Sequence, residues 1–240
     1  MTSVLGAVSA GVGGMSERVA IVAGAGGELG RATAEKLAAA GLTVAGVDRN
    51  QEALKELPDD IRREAADPAD PAAARSVVDR IAAEVGPPEV LVNTIGTYRL
   101  GEALTATPED LRLMIDVNVG PALWLTQAVV PYLRDCGSDS IVHVAARRGL
   151  EPAAGMATYA VSKAALVHLT RVLDLELRPL GIRVNAVAPQ QLDTAKTHPY
   201  LAPEVLAHAV VPEAVADIIV YLVSDAAAPV SGAVVPAYGA

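Results

Sequence analysis

The chain holds 240 residues, enough for one α/β domain, with 52% apolar residues but only 3% aromatics and no Phe, so its core must be built from Ala, Val, Leu and Ile. A formal charge of -9 argues against a phosphate-backbone partner such as nucleic acid, and no uninterrupted apolar stretch approaches the roughly 20 residues of a bilayer span. One cysteine, Cys136, cannot form an internal disulfide and points to a reducing, cytoplasmic setting.

Residues 1–15 are small and apolar without a basic leader and are expected to form a flexible extension before a single domain over 16–240. From Arg18, β-branched runs alternate with amphipathic segments: a strand "RVAIVA", a helix "LGRATAEKLAAAG", a strand "LTVAGVD" and a helix "NQEALKEL". A strand near 61–66, a helix over 71–85 and a strand "EVLVNT" continue the pattern. Thr107 then stands as an N-cap, with Pro108 at the first helical position and Asp110 placed to complete a capping box, which predicts one long helix over 108–133. "SIVHVA" reads as the fifth strand, 156–180 as a second long helix and "IRVNAVA" as the sixth strand. A Pro- and polar-rich segment over about 189–212 precedes a helix over 213–224, and "GAVVPAYGA" closes the sheet. Such alternation predicts βαβ units, here a doubly wound, Rossmann-type parallel sheet of about seven strands with helices on both faces.

Between the first strand and first helix lies "AGAGGELG", residues 23–30. Glycines there (Gly24, Gly26, Gly27, Gly30) let the backbone approach a pyrophosphate, while the helix N-terminus supplies amide donors and a favourable dipole. Asp48, ending the second strand, can accept hydrogen bonds from both ribose hydroxyls of an adenosine and repel a 2'-phosphate, which favours NAD(H); Arg49 beside it is the one feature on the side of NADP(H). Farther on, Tyr159 and Lys163 are four residues apart in a helical run of small residues, so they share a face, and a nearby cation favours the phenolate. No metal is expected at this site.

Taken in order, the Gly24 to Gly30 loop, Asp48, Asp67, Asn93, Asn118, the Tyr159 and Lys163 pair and "VNAVAP" (184–189) resemble the classical short-chain dehydrogenase/reductase family, from about Arg18 to the C-terminus. The resemblance implies that Tyr159, Lys163 and Asn118 are catalytic, with Asn118 anchoring a water-linked proton relay. It further implies that Asp67 contacts the adenine, Asn93 supports the central strand, and Thr194 touches the nicotinamide carboxamide. Leu29, Gly96 and Pro189 fall at its other cofactor-lining positions. The long helices over 108–133 and 156–180 pair between subunits in the family, which predicts a homotetramer or homodimer, with Trp124 and its neighbours covered. A short stretch, "LDT" and "PAYGA", is similar to the dihydropteridine reductase branch, which also combines a Tyr/Lys pair with an alanine at the serine position.

Three departures stand out. The family's catalytic serine lies thirteen residues before the tyrosine, and that position is Ala146, with Ala145 beside it. Glu28 replaces the third fingerprint glycine, although an acid in a helix's first turn is locally favourable. "NTIG" stands for "NNAG", and Gln190 follows Pro189. Losing one donor to a developing oxyanion costs about 3 kcal/mol unless replaced. The replacements on offer are His143, Arg147, Arg148, Thr97, Tyr98, Gln190 and Gln191, of which Arg147 follows Ala146 directly and is preferred. The reading is an NAD(H)-dependent oxidoreductase acting on a small-molecule carbonyl, alcohol or conjugated ring. Its rivals are a catalytically retired nucleotide-binding module and a cofactor-retaining dehydratase or isomerase.

Overall fold

A computed structural model of the chain describes residues 18–133, 139–195, 197–200, 202–206 and 208–239. Both the expected extension over 1–15 and Cys136 lie outside them. Seven strands form one parallel sheet: β1 (Val19–Ala23), β2 (Thr43–Asp48), β3 (Arg62–Ala65), β4 (Pro88–Asn93), β5 (Ser140–Val144), β6 (Arg183–Pro189) and β7 (Val234–Ala237), in the order β3-β2-β1-β4-β5-β6-β7. The central strands β1, β4, β5 and β6 bury both faces, so their small β-branched residues serve two cores rather than one, while the edge strand β3 is largely exposed. Ala20, Val22, Val90, Val92 and Val142 pack under α1 (Glu28–Ala39) and α8 (Pro212–Val223). Ile21, Ala23, Leu91 and Ile141 face α3 (Pro71–Glu84), α5 (Gly120–Val129) and α6 (Ala157–Leu177).

The chain leaves β1 towards β2 and β3, then returns past β1 to lay down β4. Strand order therefore reverses between β1 and β4, and the loops after these two strands diverge to open a crevice at their C-terminal ends. The glycine loop follows β1, and Gly96 follows β4, so the sheet's topology delivers both to one place.

Two expected helices are interrupted, each by a proline. The segment read as one helix over 108–133 is α4 (Pro108–Asn118) and α5, parted at Val119. Pro121 lacks the N–H that Val117's carbonyl would accept, and its ring crowds that carbonyl. The helix over 156–180 is α6 followed by a 3-10 turn, Arg178–Leu180, because Pro179 cannot continue the ladder; Gly181 then turns the chain with φ +78°. The expected capping box is present: Asp110 N–H donates to Thr107 Oγ1 at 3.2 Å and Thr107 N–H to Asp110 Oδ2 at 3.1 Å. These bonds hold the Asp110 carboxyl below the usual range. The helix over 50–57 contracts to α2 (Gln51–Leu54), capped by Asn50. In the segment over 189–212 Leu192 bridges to Val210, and a 3-10 turn, His198–Tyr200, precedes the short helix α7 (Pro203–Leu206).

Candidate active site

The crevice is floored by glycine for steric reasons that the structure makes explicit. A Cβ on Gly30 would lie 2.0 Å from the carbonyl oxygen of Gly24, which turns with φ +84°, so the first helix can start this close to β1 only without side chains. Gly27 caps α1 with no side-chain hydrogen bond, leaving first-turn amides directed at the crevice. Thr94, where the family has a second asparagine, donates from Oγ1 to Ala23 O at 2.9 Å and ties β4 to β1.

Asp48 ends β2 with its carboxylate already oriented: Oδ2 accepts from Gly26 N–H at 3.0 Å and Oδ1 from Asn50 N–H at 2.8 Å. Each oxygen keeps a second lone pair for a ribose hydroxyl. Arg49 reaches Asp67 Oδ2 at 3.9 Å, so its charge is partly answered. Asp67 also caps its own turn, Oδ1 accepting from Ala69 N–H at 3.1 Å. Asn93 Oδ1 accepts from Ile95 N–H at 3.1 Å and shapes the exit from β4.

The second half of the site is built on α4 and α6. Asn118, fully buried at the break before α5, accepts from Thr97 N–H through Oδ1 at 2.8 Å and donates to Ser162 Oγ at 2.9 Å. Ser162 passes its own hydrogen to Tyr159 O at 2.8 Å. One amide thus joins the β4 loop, α4 and α6. Lys163 is buried, and its Nζ donates to Val144 O at 2.9 Å. A Cβ on Gly96 would sit 3.0 Å from that Nζ and 3.1 Å from Asn118 Oδ1, so the β4 loop, the lysine and the asparagine meet at one point.

Electrostatics at the pair differ from the expectation. Burial pushes Lys163 down to about 8 and the Tyr159 phenol up to about 12, with the Arg148 charge pulling the phenol the other way. The ammonium is turned onto a carbonyl rather than onto the phenol, so desolvation wins. Tyr98 stands edge-on to Tyr159, ring centroids 6.4 Å apart.

No hydroxyl occupies the serine position: Ala145 and Ala146 are buried, and Ala145 N–H continues the ladder to Val187 O at 2.8 Å. The preferred stand-in is engaged elsewhere. Arg147 donates to Glu151 Oε2 and Gln190 Oε1, both at 2.6 Å, and lies over the Tyr238 ring, 4.7 Å from its centre. His143 is buried with neither ring nitrogen bonded, and burial beside Lys163 pushes it down to about 4, which makes it a neutral group in the sheet. Gln190 accepts from Arg147, Gln191 Nε2 donates to Leu192 O at 3.2 Å, and Thr97 and Tyr98 are exposed at the crevice mouth.

Thr194 Oγ1 lies 3.1 Å from Thr197 Oγ1 on the far wall, and Pro189 ends β6 beside it. Next to Thr194, the Ala195 N–H donates to Glu28 Oε2 at 3.2 Å, so the departing fingerprint residue ties α1 to the segment after β6. A cavity of about 290 Å³ opens there, lined by Glu28, Arg31, Asp193, Thr194, His198 and Glu213. Sequence reasoning missed Ser162 and Tyr238. The first had a visible signal, a hydroxyl residue beside Lys163; the second was marked only by the scarcity of aromatics around it.

A family model described as short chain dehydrogenase matches residues 18–204. The chain is 35% identical over 188 residues to 2,3-dihydro-2,3-dihydroxybenzoate dehydrogenase of Bacillus subtilis (strain 168), covering 75% of this chain and 72% of that one. Its fold superposes on 3-ketoacyl-(acyl-carrier-protein) reductase from Brucella melitensis complexed with NADH, with TM-score 0.85 and 25% identity, over 92% of this chain and 97% of that one. A blue fluorescent protein from a metagenomic library, in complex with NADPH, gives TM-score 0.85 and 27% identity over 94% and 98%. Among the described residues no helix is long and apolar enough to cross a membrane, and no group of His, Cys, Asp and Glu could hold a metal ion.

Proposed function

The chain belongs to the short chain dehydrogenase family, and from that premise we propose that it is an NAD(H)-dependent oxidoreductase whose proton-transfer group is Tyr159, supported by Lys163 and Asn118. The observation that carries the reading is the convergence of Gly96, Asn118 and buried Lys163 at one point, one helical turn from Tyr159. The glycine loop fits a dinucleotide, since a Cβ at Gly30 or Gly24 would collide with the loop's own backbone or with Thr94 and push the first helix turn away from β1. Bound nicotinamide supplies or accepts a hydride at the substrate carbon. In the reducing direction Tyr159, protonated across the neutral range, gives its proton to the substrate oxygen. The charge of Lys163 then stabilises the phenolate left behind, and the water-linked relay at Asn118 returns the proton. Ala146 offers no second donor, so the reading fits a substrate already activated by conjugation.

Asp48 supports NAD(H) over NADP(H), because a 2'-phosphate would approach a carboxylate fixed by two backbone amides, and Arg49 is paired with Asp67. Asp67, Asn93, Leu29, Pro189 and Thr194 are proposed to line the adenine, strand and nicotinamide ends of the same cleft. Titrating both nucleotides by calorimetry tests the preference; tighter NADPH binding would contradict it. Glu28 favours a second reading, a retired nucleotide-binding module, since it sets a carboxylate where the pyrophosphate belongs.

Assembly as a homodimer or homotetramer completes the proposal. Trp124 is half-buried against the α3 and α5 core, and the apolar surface that needs covering is Leu111 and Leu113 on α4 with Val161 and Leu175 on α6. A monomer in sedimentation at micromolar concentration would contradict this. The single cysteine is in keeping with a reducing, cytoplasmic location.

A further inference from the structure

The turn after β5, Arg147–Gly149, is pressed onto α6: a Cβ on Gly149 would lie 2.7 Å from both the backbone carbon and oxygen of Lys163. Its two arginines therefore stand on a turn fixed against α6 at Lys163, and they differ in what they meet. Arg147 is satisfied by Glu151, Gln190 and the Tyr238 ring. Arg148 is half-buried and makes no hydrogen bond or ion pair among the described residues. The neighbouring carboxylate, Glu151, is committed to Arg147. Arg148's charge reaches both the Tyr159 and Tyr238 phenols and draws each down against its burial. A cation held half out of water without a counter-charge is costly unless a ligand supplies one, and in a chain of net charge -9 such a cation is conspicuous.

Aromatic residues gather at the same spot. The whole chain has one tryptophan, six tyrosines and no phenylalanine, yet Tyr98 stands edge-on to Tyr159, and Tyr238 lies under Arg147 of this turn. Flat apolar faces beside an unanswered guanidinium make a receptor for a flat apolar body with an anionic end.

We infer that the substrate is a planar ring bearing a carboxylate, its ring set among Tyr98, Tyr159 and Tyr238 and its anion held by Arg148. The guanidinium fork matches a carboxylate in two parallel hydrogen bonds and fixes which ring carbon faces the cofactor. Arg148 is a substrate-binding residue here and takes no part in proton transfer. This inference rests on the reading of Tyr159 as the group that protonates the substrate oxygen.

The test uses the full chain with NADH and paired probes that differ only in charge: 3- and 4-formylbenzoate against their methyl esters, and benzoate against benzamide. Wild type is expected to prefer an acid over its ester by about 30-fold in kcat/KM, carried mainly by KM. Arg148→Gln should bring the acid-to-ester ratio of kcat/KM down to about one, and Arg148→Lys should retain part of the preference. Equal use of acid and ester by wild type, or a preference that survives Arg148→Gln, overturns the inference and leaves the oxidoreductase reading standing. Calorimetric binding of benzoate decides the case in which nothing turns over. If wild type binds benzoate at least about 10-fold better than Arg148→Gln does, and benzamide shows no such difference, Arg148 is an anion site and only the catalytic reading falls. Failure of wild type to bind benzoate, or equal binding by both proteins, overturns the inference.

Discussion

The two halves of the crevice are built to different standards. On the α4 and α6 side the buried polar groups beside Tyr159 are tied across elements, Asn118 to Thr97 and Ser162 and Lys163 to Val144, while Ser162 closes onto the Tyr159 carbonyl within α6. On the glycine-loop side the backbone is as tightly shaped, but Glu28 brings a carboxylate to the helix N-terminus and bonds across to Ala195. On the proposed reading, the proton-transfer side lacks one hydroxyl and keeps its scaffold, whereas the phosphate side keeps its scaffold and carries an added charge. The lesson is that missing groups and added groups act on different steps, one on turnover and the other on cofactor affinity, and can be separated by substitution.

Replacing Lys163 should break the comparison most strongly. Lys163→Met is expected to lower turnover by about 1000-fold or more, because it removes the charge that stabilises the phenolate. The same change should raise stability. Folded Lys163 titrates near 8 against an ordinary 10.5, so its burial costs about 3 kcal/mol below pH 8 and the penalty fades as pH rises from 8 to 10.5. After allowing for the lost bond to Val144, denaturant unfolding at pH 7 should show a gain of about 2 kcal/mol. A loss of stability at neutral pH would show the lysine to be well solvated.

The pH profile sharpens the same point. Reductive kcat/KM should be flat up to about 8 and fall by up to tenfold per unit above it, as Lys163 loses its proton while Tyr159, near 12, keeps its own. A profile that stays flat to pH 10 would sever turnover from the lysine's charge. Smaller again is the effect of restoring the hydroxyl. Ala146→Ser should raise turnover of simple ketones by about 10- to 100-fold and alter activated ring substrates by less than about fivefold. On the other side of the crevice, Glu28→Gln keeps an acceptor for Ala195 but removes the charge, and should tighten NADH binding by about three- to tenfold at low salt. Unchanged affinity would mean that Glu28 serves only as a tie between α1 and the segment after β6.

Much of this architecture was legible in the chain because its causes are local. Strand and helix periodicity, the Thr107 capping box, the glycine turn and the i,i+4 spacing of Tyr159 and Lys163 depend on neighbours within a few residues. The break at Val119 was legible too, in Pro121, but the apolar run on either side of it reads as a continuous helix. What could not be read is where long side chains turn. Arg147 finds Gln190 and Tyr238, Lys163 finds the Val144 carbonyl, and Glu28 finds Ala195, each across a separation that only the folded sheet closes. The stand-in preferred for the serine, Arg147, follows Ala146 directly, and what the chain could not show is that its guanidinium meets Glu151, Gln190 and the Tyr238 ring.

The measurement that bears most directly on the account is Tyr159→Phe in the full chain, with reductive turnover of a conjugated carbonyl substrate and the NADH dissociation constant determined on the same preparation. The substitution deletes the proton donor and almost no volume. Turnover should fall by at least about 1000-fold while NADH affinity stays within about threefold of wild type. Turnover that survives the loss of the phenol would contradict the account, because the proton would then come from elsewhere and the Tyr159 and Lys163 pair would be a remnant of the fold.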